Sequence, residues 1–310
     1  MSRHGPGTGP HMGWRNLADD LGVDRLGELT QLDRIVDPVR AAVQRAAKPP
    51  AVKDFLHGTW AGHPMHPALA QLTVGAWLGA AVLDLLRPGR DGSAAASTAL
   101  VATGVASAVP TAAAGLVDWA ELHEDQQRIG LVHAAINVGA LTLYSASLVA
   151  RLRGRHQGGR QIGYAGVALG GVGAMVGGHL SFRWAAGVNH NEHVFHVLDG
   201  GWHDIGRFDE LDDGTPARRE IGEVALVALR RRDRVDVLVD RCSHLSGPLH
   251  EGAVSTVNGV TCLVCPWHDS AFAVADGSVQ RGPATAPQPR FEVRVLGGIV
   301  QVRGPLRAGG

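Results

Sequence analysis

Four long stretches of this chain, 67–83, 93–117, 129–150 and 161–182, contain no Asp, Glu, Lys or Arg. A run of about 18 or more such residues can form a membrane-crossing helix, and roughly 20 cover the hydrocarbon core. Three of the four qualify outright, and the first does so once Asp84, Leu85 and Leu86 complete it near the far interface. Buried helices of a soluble protein are the alternative. Four such segments in succession favour a bundle that spans the bilayer. The second stretch is rich in alanine and only weakly apolar, so its place is inside that bundle. The fourth carries Gly166, Gly170, Gly173 and Gly177, a doubled small-xxx-small spacing that lets helices approach closely.

The flanking segments are different in kind. Across 310 residues, 29 basic side chains balance 29 acidic ones, which leaves no electrostatic footprint for nucleic acid. The opening "MSRHGPGTGPHMGW" has no apolar centre of a cleavable signal peptide and is expected to be unstructured. From 26 to 39, Leu26, Leu29, Leu32, Ile35, Val36 and Val39 recur at a helical period with charges on the other face. Such a helix lies along the membrane surface, docks on a partner, or packs on the protein's own body.

Beyond the apolar stretches come two short loops, "DRCSHLSGPLHEG" and "CLVCPWHDSAF". Cys242 and His244 stand at a C-x-H spacing, Cys265 and His268 at C-x-x-H. Two cysteines and two histidines can close a tetrahedral zinc site. Zinc spacings, however, usually pair like with like. One thiolate and one imidazole on each loop suit a two-iron cluster better, with both thiolates on one iron and both imidazoles on the other. The third cysteine, Cys262, falls outside this pattern and reads as a small buried hydrophobe in a strand.

These loops, with "CPWHDSAFAVADGSVQRGPATAPQPRFEVRV", resemble the Rieske family over roughly 200–306. The resemblance implies an all-β domain and a [2Fe–2S] cluster held by Cys242, His244, Cys265 and His268. It also implies a proline-rich third loop over the cluster, 282–289, so that Pro283, Trp267 and Ser270 lie beside it. Ser270 matches the family's serine that hydrogen-bonds a cluster sulfur. Rieske proteins of quinol-oxidising complexes have a disulfide where this chain has Gly247 and Trp267. The expected tyrosine is Phe272, and Asp269 replaces the usual glycine. A missing hydrogen bond and an added negative charge both disfavour the reduced cluster. The potential is therefore expected in the lower part of a range of about −150 to +300 mV. An oxygenase catalytic subunit needs a further mononuclear-iron domain. Only 42 residues follow His268, so the expectation is a ferredoxin-like electron carrier acting with a redox partner protein.

The segments "GHPMHPALAQLTVGAWLGAAVLDLL", "PTAAAGLVDW", "VHAAINVGALTLY" and "GGHLSFRWAAGVN" resemble an uncharacterised four-helix membrane domain family that is often fused to Rieske domains. The resulting organisation is an N-terminal tail with an amphipathic helix over 1–57, an all-α four-helix transmembrane bundle over 58–190 and an all-β Rieske domain over 195–306. Ionisable residues in membrane helices point to function. His66 opens the first helix, His133 lies one turn into the third, and His179 lies one turn before the end of the fourth. Asp118 follows the second helix, and all share the side from which the Rieske domain emerges. Three readings follow. Two imidazoles on facing helices ligate haem b, with the glycines of the fourth helix making room. A histidine with Asp118 binds a quinone headgroup and takes its protons. Or the group is a structural polar cluster.

The arginines Arg87, Arg90, Arg151, Arg153, Arg155 and Arg160 lie in the loops after the first and third helices. The positive-inside rule then puts the Rieske domain outside. Cluster assembly in the cytoplasm, the lack of a twin-arginine signal and the missing disulfide argue the reverse, and the cytoplasm is the expectation.

Overall fold

The computed structural model describes residues 22–86 and 92–306. The tail before residue 22, Arg87 and Arg90 lie outside the described residues. Among the described residues four helices are long and apolar enough to cross a membrane: α3 (Met65–Leu86), α4 (Ser93–Trp119), α5 (Glu124–Leu152) and α6 (His156–Phe182). They pack as two hairpins, α3 on α4 and α5 on α6, joined by α4 against α5 and α3 against α6. The alanine-rich α4 has the largest buried share of the four, as expected of a central helix. Trp77 of α3 stacks on Tyr144 of α5 with ring centroids 4.0 Å apart.

Two amphipathic helices, α1 (Asp33–Ala46) and α2 (Pro50–His57), precede the bundle. The sequence pattern over 26–39 reads as one helix, and the structure corrects this. Two 3-10 turns, Val23–Glu28 and Thr30–Leu32, come first, separated by Leu29 at φ −77°, ψ 76°. The break lets one apolar stripe enter two grooves. Val23 and Leu26 pack on Ile129, Val176 and Leu180, whereas Val36, Val39 and Val43 pack on Leu116 and Trp119. The segment therefore docks on its own bundle. Helix α2 begins with a proline at its first turn and stops at Gly58, whose φ of 82° ends a helix without strain.

After the single turn α7 (Val194–Val197), ten strands form two antiparallel sheets. The larger contains β1 (His203–Arg207), β10 (Ile299–Leu306), β9 (Arg290–Leu296), β4 (Arg234–Val239), β3 (Val224–Arg231) and β2 (Pro216–Ile221), in that order. The smaller runs β5 (Ala253–Val257), β6 (Val260–Val264), β7 (Ala271–Ala273), β8 (Val279–Arg281). Asn258 and Gly259, both at positive φ, make the tight β5–β6 hairpin turn. The apolar run of β3 is buried on both faces. Leu226 and Ala228 enter a core with Val237, Val300 and Val302. Val227 and Leu229 enter a second core with Leu263, Phe272, Cys242 and Cys265. The metal-type side chains thus stand on the second core, between the two sheets.

Candidate metal centre

Three loops meet at one end of the β-domain: 240–252 after β4, 265–270 after β6 and 282–289 after β8. Backbone hydrogen bonds shape the first two. Cys242 N–H donates to Gly247 at 2.8 Å, Ser246 N–H to Cys242 at 2.9 Å, and Cys265 N–H to Ser270 at 2.8 Å. The third loop is stitched to both. Buried Gln288 donates to the carbonyls of Val239 and Arg241 and accepts from Ser243 N–H, while Ser243 Oγ donates to Ala286 at 2.7 Å. Ser270 Oγ, itself fully buried, accepts from Ala284 N–H at 3.0 Å, leaving its hydroxyl proton to donate elsewhere. Gln288 carried no signal in the sequence, because its role lies in contacts more than forty residues away.

The four donors come in pairs. The Cys242 and Cys265 side chains are buried and hydrogen-bonded to each other. That bond, together with burial, holds Cys242 well above the ordinary thiol range. The same bond, helped by the N–H groups of Trp267 and His268, draws Cys265 down. The His244 and His268 rings meet edge to face with centroids 5.2 Å apart. Burial lowers the basicity of both, and for His244 the imidazoles of His268, His57, His190 and His123 add to the effect. Neutral imidazole and thiolate are the forms that bind metal. His244 Nδ1 is buried with no hydrogen-bond partner among the described residues, a lone pair available to an iron. Among the described residues no three His, Cys, Asp or Glu side chains converge on one point. A pair of thiols beside a pair of imidazoles fits a two-iron cluster better than one tetrahedral ion.

Trp267 is half exposed and stands edge-on to His268 and to His123 of the bundle. Gly247 leaves the space for it, since a Cβ there would lie 2.8 Å from Cys265 Sγ and 3.1 Å from the Trp267 ring. Pro283 is buried within the third loop. Phe272 fills the second core, and Cys262 is fully buried on β6 away from that core.

The loops rest on the end of the helical bundle, a juxtaposition the sequence did not announce. Asp54 accepts the Gly282 N–H at 2.8 Å. His190 N–H donates to Ser243 at 3.1 Å, and Asn191 donates to Arg241 at 2.6 Å. Beneath them the buried His57 donates from Nδ1 to Asp118 at 2.7 Å, its Nε2 left without a partner among the described residues. A cleft of about 460 Å³ opens beside this contact, lined by His123, Glu124, Asp125, Gln126 and Trp184.

The three membrane histidines do not form one group. His66 and His133 lie edge to face at 6.3 Å, with Nδ1 of each donating to a backbone carbonyl, Thr111 and Gly173 respectively. His179 instead donates to Asp24 at 2.8 Å, beside Trp184. Helix α5 also starts before Ile129, so His133 lies more than two turns in. Several glycines of α6 serve helix packing within the bundle. Gly166, Gly173 and Gly177 receive the side chains of Tyr144, Asn137 and His133.

A two-sheet β-domain whose three loops bring paired thiols and paired imidazoles to one end is the Rieske class of electron-transfer domain. The chain belongs to the Rieske [2Fe–2S] domain family, which it matches over residues 201–293. Residues 62–190 match the family described as predicted membrane protein (DUF2231). The chain is 31% identical over 101 residues to the anthranilate 1,2-dioxygenase ferredoxin subunit of Burkholderia cepacia, covering 33% of this chain and 90% of that one. It is 33% identical over 104 residues to the ferredoxin CarAc of Metapseudomonas resinovorans, covering 33% and 94%. A chain in the solved complex of reduced oxygenase and oxidized ferredoxin in carbazole 1,9a-dioxygenase is 30% identical, with a TM-score of 0.31, covering 35% of this chain and 98% of that one. A Rieske domain implies a [2Fe–2S] cluster, and the residues at the loop end fit one.

Proposed function

We propose that this chain is a membrane-anchored one-electron carrier in which Cys242 and Cys265 hold one iron and His244 and His268 the other. The cluster supplies reversible one-electron storage when bound. The protein's part is to keep thiolates and neutral imidazoles paired, exclude water and present the imidazole edge. The observation that carries the reading is the buried thiol pair beside the edge-to-face imidazoles, with His244 Nδ1 free of any other partner among the described residues. On this reading residues 58–190 anchor the domain formed by 195–306, which faces the cytoplasm. Two of the relatives are named as ferredoxins, one of them a dioxygenase subunit, which supports an oxygenase or reductase as the soluble partner. The test is iron and sulfide analysis with EPR on the detergent-purified full chain. The expected result is the signal of a reduced Rieske centre, abolished by Cys265→Ser and His244→Cys. Stoichiometric zinc without iron would overturn it.

Within the bilayer, the packing favours a quinone over a haem as the electron partner. The α6 glycines at 166, 173 and 177 are filled by protein side chains. His66 uses Nδ1 on a carbonyl, which orients its Nε2 to accept a hydroxyl proton from a quinol headgroup, while the Nε2 of the neighbouring His133 faces the Asn137 amide at 3.3 Å. Co-purifying quinone, lost in His66→Leu and His133→Leu, supports this. A haem absorption band in the purified protein counts against it.

A further inference from the structure

Helix α2 and the Thr59–Ala61 turn after it have two unlike faces. The inner face grips the rest of the protein. Asp54 accepts the Gly282 N–H at 2.8 Å, Lys53 pairs with Glu121 at 2.7 Å, and His57 donates to Asp118 at 2.7 Å. Gly282 approaches so closely that a Cβ there would lie 2.8 Å from Thr59 Oγ1. The outer face is apolar and uncovered among the described residues. Val52, Phe55 and Trp60 are 45%, 60% and 65% exposed. Phe55 and Trp60 stack with centroids 6.0 Å apart and planes 14° from parallel, and Trp60 Nε1–H donates to the Phe55 carbonyl.

Depth along the bundle says what covers that face. Helix α3 has 22 residues, a length of about 33 Å at 1.5 Å per residue, against a hydrocarbon core of about 30 Å. The residues just before Met65 therefore fall at the headgroup boundary. Phe182, at the end of α6, is 93% exposed. In an up-down bundle the end of α6 returns to the level where α3 starts. Exposed aromatics gathered at one level are the signature of an interfacial belt. The polar inner edge and apolar outer edge of α2 are those of a helix lying in the interface plane.

We propose that α2 and its turn are a membrane-interface clamp: Phe55 and Trp60 seat in the lipid headgroup layer while Asp54 holds the Rieske third loop at Gly282, packed against Thr59. The clamp fixes the imidazole edge against the bundle at the membrane surface. It rests on the membrane-spanning reading of the four helices, and not on the cluster.

The test uses the full chain in phospholipid nanodiscs, with a nitroxide attached at Phe55→Cys or Trp60→Cys. The three native cysteines are buried, so labelling is selective. Oxygen, which partitions into lipid, is expected to relax both labels more than a water-soluble nickel complex does. A label at the exposed Glu192→Cys is expected to show the opposite order. A label at Trp60→Cys as open to nickel as that control overturns the proposal. The inner contact has its own readout, hydrogen exchange. Gly282→Val and the milder Asp54→Ala are expected to speed exchange in both 50–61 and 282–289, and unchanged exchange in both variants overturns it. Iron content, measured on the same samples, reports separately on the ligand assignment.

Discussion

Arg151 of α5 closes on Asp84 of α3 inside the bundle, one guanidinium nitrogen to each carboxylate oxygen, across 67 residues of sequence. Ser97 accepts a further hydrogen bond from Arg151 at 2.8 Å and Ser147 another at 3.1 Å, and both charged side chains are buried. The sequence placed Asp84 near the far interface and Arg151 in a loop. The structure keeps Asp84 in the last turn of α3 and corrects the second, with Arg151 within the last turn of α5. Removing one partner strands the other charge in a low-dielectric interior, at a cost of about 3–5 kcal/mol. Asp84→Ala is therefore expected to lower the unfolding midpoint in detergent sharply. Asp84→Leu with Arg151→Met is expected to recover most of the loss. An Asp84→Ala protein as stable as the parent removes the pair from the account of the bundle.

Because iron–sulfur clusters are assembled in the cytoplasm and the disulfide of exported Rieske proteins is missing, we predict a cytoplasmic Rieske domain. A cysteine at the exposed Leu296 on β9 reports this. It is expected to resist an impermeant maleimide in intact cells and to react after permeabilisation. Labelling in intact cells reverses the assignment.

The four membrane helices were legible because charge-free runs of that length have few other uses. The four residues proposed as donors were legible as a group because their spacing is unusual. What stayed hidden depends on contacts distant in sequence. The period over 26–39 is helical, yet docking into two separate grooves broke it at Leu29. His57 carried no signal in the sequence, and only the fold brings it beneath the third loop and onto Asp118. His179 shares a side of the membrane with His133. Its position two residues beyond Gly177, which abuts His133, turns it toward Asp24 instead.

In the cluster-free protein the two thiols titrate apart. Cys265, accepting from Cys242 and from the N–H groups of Trp267 and His268, is drawn below the ordinary thiol range, and Cys242 is pushed above it. A depressed value favours the charged form, so Cys265 adds stability as pH rises past its folded value, and the raised value of Cys242 withdraws it again at higher pH. Thiolate absorbance is expected to rise by one group below the ordinary thiol range, and that step is expected to vanish in Cys265→Ser. Cys262→Ala is expected to leave it in place, since burial raises that thiol. A single step for all three thiols contradicts the pairing.

Ser270 is fully buried, and Ala284 N–H fixes its Oγ as an acceptor, which leaves the hydroxyl proton to donate toward a cluster sulfur. Such a donor stabilises the more negative, reduced state and raises the potential. Ser270→Ala is expected to lower the midpoint potential by roughly 60 mV, about 1.4 kcal/mol for one electron. An unchanged potential with an intact EPR signal means the hydroxyl does not reach the cluster.

Asp269 stands where the Rieske pattern has glycine, and its backbone explains the usual choice. Its φ is +61°, in the left-handed region. Asp and Asn enter that region at modest cost because their short side chains hydrogen-bond locally, and other residues do so less readily. Backbone and charge can therefore be separated by substitution. Asp269→Asn keeps the left-handed preference and removes the charge. Stability is expected to hold, and the potential to rise, by roughly 10–40 mV at low salt from a unit charge in a mixed dielectric. Because Asp269 is exposed, that rise is expected to shrink as salt shortens the screening length to about 8 Å at physiological strength. Asp269→Ala removes the same charge but resists positive φ, so it is expected to share the potential shift and to lose about 1 kcal/mol of stability. Asp269→Gly relieves the strain but frees the unfolded chain, two effects of similar size that leave stability within about 1 kcal/mol of the parent. Thermal unfolding and potentiometric titration of the three variants, at low and high salt, check the set. Equal potentials in all three and the parent remove the charge from the tuning of this centre, and an Asp269→Ala protein as stable as Asp269→Asn removes the backbone argument.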